Sequence, residues 1–176
     1  MAETVVLVGL GANLPNLTWG EPRVTLEAAL DRLAARGVAT LRRSRWYRSA
    51  PVPASDQPWY VNAVAKVATA LAPERLLEEL LLTEREFGRR RRVPLAARVV
   101  DLDLLAYGNW ILGGAGRGSG LVLPHPRLHE RAFVLQPLQE VAPDWRHPVL
   151  RRSVAEMIGD LDPGQMAFAI TESLEP

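Results

Sequence analysis

The ten residues VVDLDLLAYG, Val99 to Gly108, restrict what this chain can become more than any other stretch. Val99, Val100, Leu102, Leu104 and Leu105 read as a buried β-strand, yet Asp101 and Asp103 stand in the middle of it. Side chains alternate along a strand, so positions i and i+2 share a face, with Cα atoms roughly 6.5–7 Å apart. Burying one ionised carboxylate without a partner is costly, and two on one face also repel each other. Something cationic therefore belongs on that face. Taken alone, the pair reads equally as structural aspartates bonded to arginine or as a metal site.

The segments around this strand set the fold class. Thr4–Gly9 (TVVLVG) is a short β-branched strand ending in glycine. Pro22–Arg36 has apolar residues at helical spacing, with proline in its first turn and Gly37 beyond its end. Val38–Ser49 and Trp59–Thr69 read as strands joined by a proline-rich loop too long for a tight hairpin. A second helix spans about Ala72 to Phe87, with Pro73 at its start and Gly88 at its end. The order β-α-β-β-α-β predicts an α+β, ferredoxin-like antiparallel sheet with helices packed on it. Asn109 to Pro176 are C-terminal additions, including the glycine-rich GGAGRGSG and a helix after Pro126. At 176 residues and 48% hydrophobic, residues 1–176 read as a single domain.

Several function classes are excluded or disfavoured. A net charge of +1 marks neither a nucleic-acid binder nor a membrane-surface protein. The absence of cysteine removes thiolate nucleophiles and cysteine zinc sites, and suits the cytoplasm. MAETVVLVGLGANL reads as no secretory leader, and no apolar run has membrane-spanning length. The small charge and the lack of an obvious exposed apolar helix lean towards a monomer. Lys66, the only lysine, follows no glycine-rich turn, so there is no Walker A loop. GLGANL lacks the third glycine of a dinucleotide fingerprint. Any phosphate bound here must be held by arginine and metal.

The rest of the chain supplies both. GRRRRVPLAAR, Gly88 to Arg98, puts five arginines just before the aspartate strand, either as a solvated basic loop or as a polyphosphate clamp. With no cysteine and few histidines, the two carboxylates form a hard oxygen site that suits Mg²⁺. SRWYRSAPVPASDQPWYVNAV, Ser44 to Val64, gathers Trp46, Tyr47, Gln57, Trp59, Tyr60 and Asn62 around one loop. Asn62, an amide in an apolar strand, either bonds backbone or reads the edge of a flat heterocycle. Asn13 is a similar case in a turn. In LPHPRLHERAF, Leu123 to Phe133, His125 lies between prolines, while Arg127, His129 and Glu130 read as an exposed helical face.

Taken together, GANL, SRWYRSAP, DQPWYVNAV, TEREFGRRR, ARVVDLDLL, LPHPRLHERAFVLQPL and EVAPDW, in this order, closely resemble the 6-hydroxymethyl-7,8-dihydropterin pyrophosphokinases of folate biosynthesis. The resemblance runs from Val5 to about Trp145 and implies the same ferredoxin-like fold. It implies diphosphate transfer from ATP to the hydroxymethyl group of 6-hydroxymethyl-7,8-dihydropterin, with two Mg²⁺ ions held by Asp101 and Asp103. By position, the pterin would meet Ser49, Val52, Tyr60, Asn62 and Phe133, with Tyr60 and Phe133 sandwiching the ring and Asn13 near the pocket. ATP would meet Glu84, Arg91, Arg98, Leu104, His125 and Arg131. Arg89 and Arg98 would join the two aspartates in catalysis. Where many members carry Trp-Gly-Pro-Arg before the strand, this chain has Leu95-Ala96-Ala97-Arg98, a variant lid.

Two other readings share some of these features. An RNA-recognition module has the same element order but needs aromatics on its first strand, and TVVLVG has none. An inactive paralogue would be expected to lose the aspartate pair or Arg131, and both are present.

Overall fold

The computed structural model describes residues 4–89, 96–113 and 120–171. Arg91 and most of GGAGRGSG lie outside these described residues. The elements run β1 (Val6–Ala12), α1 (Pro22–Ala34), β2 (Val38–Arg43), β3 (Tyr47–Ser49), β4 (Tyr60–Thr69), α2 (Pro73–Glu86) and β5 (Asp101–Tyr107). A 3-10 turn (Leu128–Glu130) leads into α3 (Ala132–Val141), then α4 (Val154–Gly159) and β6 (Ala167–Ala169). Pro22 and Pro73 open the first two helices, where a missing N–H costs nothing. Gly37 and Gly88 follow their ends with φ of +81° and +85°, a conformation that favours glycine.

The strands form one antiparallel sheet in the order β5-β1-β4-β3-β6, with β2 also paired to β4. This is the ferredoxin-like arrangement read from the element order, extended at one edge by β6. Strand alternation divides the apolar residues into two cores. Val6, Val8, Leu10, Leu102 and Leu104 pack with Leu26, Leu33, Leu76 and Leu80 of α1 and α2. Leu7, Val64 and Leu105 pack on the opposite face with Leu128, Leu135, Leu138 and Met157. Truncating any one of these fully buried leucines to alanine costs about 2–5 kcal/mol.

Two boundaries differ from the sequence reading. The segment 38–49 is not one strand: its register on β4 shifts between Thr40 and Arg42, and again between Arg43 and Tyr47. At the second break Ser44 takes over part of the pairing, its N–H donating to the Val64 carbonyl at 2.9 Å and its Oγ accepting from the Val64 N–H at 3.1 Å. β1, moreover, does not stop at Gly9 but continues to Ala12. Its glycines interrupt no ladder; they clear space on one face. Among the described residues, no helix is long and apolar enough to cross a membrane.

Candidate active site

The site lies on the face of the sheet that carries α3. Leu102 and Leu104 point into the α1/α2 core, so Asp101 and Asp103 point the other way. Across the ladder Asp101 pairs with Gly11, and Gly11 pairs with Asn62. The next row sets Asp103 against Gly9, and Gly9 against Val64. A Cβ built on Gly11 would come 3.1 Å from Asn62 Oδ1, and one on Gly9 would come 3.3 Å from a Leu105 methyl. The two glycines are thus a low floor between a carboxylate pair and a buried amide. That signal is present in GLGANL, but only strand pairing reveals what the glycines face.

Over this floor opens a cavity of about 430 Å³. Asp101, Asp103, Arg98 and Arg131 line it, together with Ser49, Val52, Tyr60, Asn62 and Phe133. Asn62 is 4% exposed and its Nδ2 donates to Ser49 Oγ at 2.7 Å, so the amide is held in one orientation at the cavity floor. Arg127 is exposed and pairs with Glu130, as its sequence neighbours suggest, and it also lines the cavity mouth. Its Cα precedes the 3-10 turn, which turns the segment differently from a regular α-helix.

The charges are arranged unequally. Asp101 is ion-paired with both Arg89 and Arg98, and Arg89 also bonds the Glu84 carboxylate. These arginines are the cations that the strand sequence demands. Among the described residues no ion pair reaches Asp103; burial, then the Asp101 charge, push its carboxyl up to about 6, against the pull of Arg131. Burial and the charge of Arg131 push His125 down to about 4. Its Nδ1 accepts from the Arg127 N–H at 3.2 Å, a bond that requires the neutral ring. Tyr60 is pushed up by burial, with Arg98 opposing.

Several expected positions lie elsewhere. Leu104 faces the α1/α2 core, because the alternation that aims the aspartates at the cavity aims Leu104 away from it. Glu84 is 1% exposed beneath β5, where it accepts the Leu102 N–H at 2.8 Å; it supports Arg89 and does not line the cavity. Asn13 also lies outside the lining, buried between two loops. His125 is not among the lining residues, and its backbone N–H donates to the Leu105 carbonyl at 2.8 Å. Of the loop aromatics only Tyr60 reaches the cavity. Trp46 is in the core under Arg43, Tyr47 donates to Glu140 at 2.6 Å, and Trp59 stacks on Phe168 at 6.5 Å.

Among the described residues no group of three or more acidic or histidine side chains could enclose a metal. Asp101 and Asp103 instead offer a two-carboxylate, all-oxygen edge that opens into a cavity. That donor set fits Mg²⁺, which keeps waters and takes further ligands from phosphates. The cavity thus joins a half lined by arginines and the two carboxylates to a half built from a fixed amide and ring walls.

Residues 7–143 match the family described as 7,8-dihydro-6-hydroxymethylpterin-pyrophosphokinase (HPPK). A 2-amino-4-hydroxy-6-hydroxymethyldihydropteridine pyrophosphokinase of Synechocystis is 36% identical over 176 residues, with 97% of this chain and 85% of that protein covered. Its counterpart in Methylorubrum extorquens is 39% identical over 161 residues, covering 91% and 95%. The folic acid synthesis protein fol1 of Pneumocystis carinii is 40% identical over 150 residues; this chain spans only 19% of its length. A solved HPPK-DHPS in complex with substrates superposes with a TM-score of 0.65 at 12% identity, covering 90% of this chain and 43% of the other. The last likeness concerns the fold.

Proposed function

This chain belongs to the 7,8-dihydro-6-hydroxymethylpterin-pyrophosphokinase family, enzymes of folate biosynthesis, and from that premise we propose that it transfers diphosphate from ATP to 6-hydroxymethyl-7,8-dihydropterin. The observation that carries the reading is the cross-strand row Asp101–Gly11–Asn62, which joins the carboxylate and amide halves of one cavity. The substrate hydroxymethyl oxygen forms a bond to the β-phosphorus, the bond from that phosphorus to the α-β bridging oxygen breaks, and AMP leaves. The hydroxyl proton is released as the new bond forms.

The pterin lies in the half bounded by Ser49, Tyr60, Asn62 and Phe133. The Asn62 amide, already oriented by Ser49, reads the edge of the ring, while Tyr60 and Phe133 exclude water from its faces. Arg98, Arg127 and Arg131 face the phosphates and offset charge that accumulates as the α-β bond breaks. Asp101 and Asp103 are the residues that would hold Mg²⁺, which when bound would supply charge neutralisation at the phosphates and a lowered pKa at the attacking hydroxyl. Arg89 and Arg98 are ion-paired with Asp101, which keeps both guanidinium groups beside the carboxylates and within the phosphate-facing half. No side-chain nucleophile is needed.

Product analysis tests this directly. Purified protein with ATP, Mg²⁺ and 6-hydroxymethyl-7,8-dihydropterin should yield AMP in step with the pterin diphosphate, and EDTA should stop both. ADP in place of AMP would mean ordinary phosphoryl transfer and overturn the reaction class.

A further inference from the structure

The geometry points to Asn13 as a positioning residue that couples the pterin-side loop to the phosphate-side arginine, an inference that rests on the function proposed above. Asn13 is the first residue after β1, where the chain leaves the sheet between the two substrate regions. It is 3% exposed and does not line the cavity. A buried amide away from solvent must find partners within the protein. Asn13 finds them on two separate segments.

On one side it grips the backbone of Arg98 from both directions. The Arg98 N–H donates to Asn13 Oδ1 at 2.7 Å, while the N–H groups of Asn13 and Leu14 donate to the Arg98 carbonyl at 2.9 and 3.1 Å. On the other side Asn13 Nδ2 donates to the Pro58 carbonyl at 3.0 Å and to Gln57 Oε1 at 3.3 Å. Pro58 and Gln57 belong to the connection between β3 and β4, whose flanks carry Ser49 and Tyr60. The Arg98 guanidinium in turn is ion-paired with Asp101.

One amide therefore stands in an unbroken chain of contacts: pterin loop, Asn13, Arg98 backbone, Arg98 guanidinium, Asp101. Any ligand that draws the Arg98 side chain from Asp101 towards phosphate loads the backbone that Asn13 holds. The same amide fixes the height of Pro58 and Gln57 against the pterin half. Occupying one half of the cavity thereby favours the loop geometry that the other half needs. By linkage the effect is reciprocal: nucleotide tightens pterin, and pterin tightens nucleotide by the same factor. An asparagine that merely filled a turn would change stability or both affinities, and leave that factor alone.

The test is a binding cycle by calorimetry, using Mg²⁺ and an ATP analogue with a methylene bridge between its α and β phosphorus atoms, which blocks transfer. Pterin affinity is measured with and without the analogue, and analogue affinity with and without pterin. The intact protein should show mutual tightening of about tenfold, within the range usual for coupled sites. Asn13→Ala should reduce the factor to about one while each ligand alone binds within about threefold of the unaltered protein. Asn13→Asp keeps the acceptor for Arg98 and loses both donations to the pterin loop, so it should also uncouple the sites if the alanine variant folds poorly. A factor unchanged in the folded variants, or a factor of one in the unaltered protein, would overturn the assignment of Asn13 while leaving the proposed reaction standing. Failure of the unaltered protein to bind either ligand would instead overturn the reaction, and the coupling with it.

Discussion

Gly11 lies directly opposite Asp101 in the β1–β5 ladder, so the absence of a side chain at one residue makes room for ligand beside the carboxylate of the other. Gly11 is not among the glycines with positive φ, so a substituted side chain meets a steric limit and no backbone strain. A Cβ there would lie 3.1 Å from Asn62 Oδ1 and 3.9 Å from Asp101 Cβ. Gly11→Val should therefore raise the floor into the cavity and weaken pterin binding more than about tenfold, a cost near 1.4 kcal/mol or above. Thermal stability should fall modestly, because overpacking against the pinned Asn62 amide, about 1–3 kcal/mol, outweighs the roughly 0.5–1 kcal/mol regained by replacing a strand glycine. Calorimetric titration with pterin and a melting curve check both parts; undiminished affinity would remove Gly11 from the site.

The two aspartates should respond differently to substitution. Asp101 compensates Arg89 and Arg98, so Asp101→Ala leaves two partly buried guanidinium groups short of a partner and should cost up to about 3 kcal/mol. Asp103 is half-buried beside a like charge with no ion pair among the described residues, so Asp103→Asn should leave stability unchanged or improved. Both variants should lose diphosphate transfer. Denaturant titration beside an AMP-release assay separates the effects, and retained turnover in both would sink the metal assignment.

His125 gives a pH signature. Its folded value of about 4 lies below the usual imidazole value near 6.5, so the folded protein binds fewer protons than the unfolded chain between those limits. The stabilisation from the neutral ring is complete above about 6.5 and is lost as pH falls through about 4. Partial solvent access limits it to about 1–2 kcal/mol. NMR should place the His125 titration near pH 4, and His125→Gln should flatten the stability profile across that window. A midpoint near 6.5 would contradict the burial.

Period-two alternation makes the aspartate strand legible from its ten residues alone, because a strand allows its side chains only two faces. The element order likewise carries the sheet topology. The same alternation also excludes Leu104 from the cavity, although its place in the motif groups it with the nucleotide contacts. Glu84, Asn13 and Arg127 show the limit more clearly: their work depends on residues 18, 85 and 45 positions away, or on which side of a short turn they emerge. Gly9 and Gly11 look like an incomplete fingerprint because their purpose is set by strands paired on either side. Tertiary neighbours decide each of these roles, and a local pattern does not contain them.

Glu84 supplies the most discriminating last test. Its Oε1 receives the Leu102 N–H, fixing the strand between the two aspartates, and also accepts from Arg89, which reaches on to Asp101. Glu84→Gln preserves shape and an oxygen for Leu102 but removes the charge that holds Arg89. Stability should fall by about 1–3 kcal/mol, since a buried charge pair loses one member while Arg89 keeps Asp101. Pterin binding, which depends on the opposite end of the floor, should change little, whereas turnover should drop about tenfold or more as Arg89 loses its placement. Arg89→Ala should slow turnover further. If Glu84 acts through Arg89, the double substitution should be no slower than Arg89→Ala alone, because the glutamate then has no arginine left to position. Additive losses would mean that Glu84 serves the reaction by another route, such as its bond to the Leu102 N–H between the two aspartates.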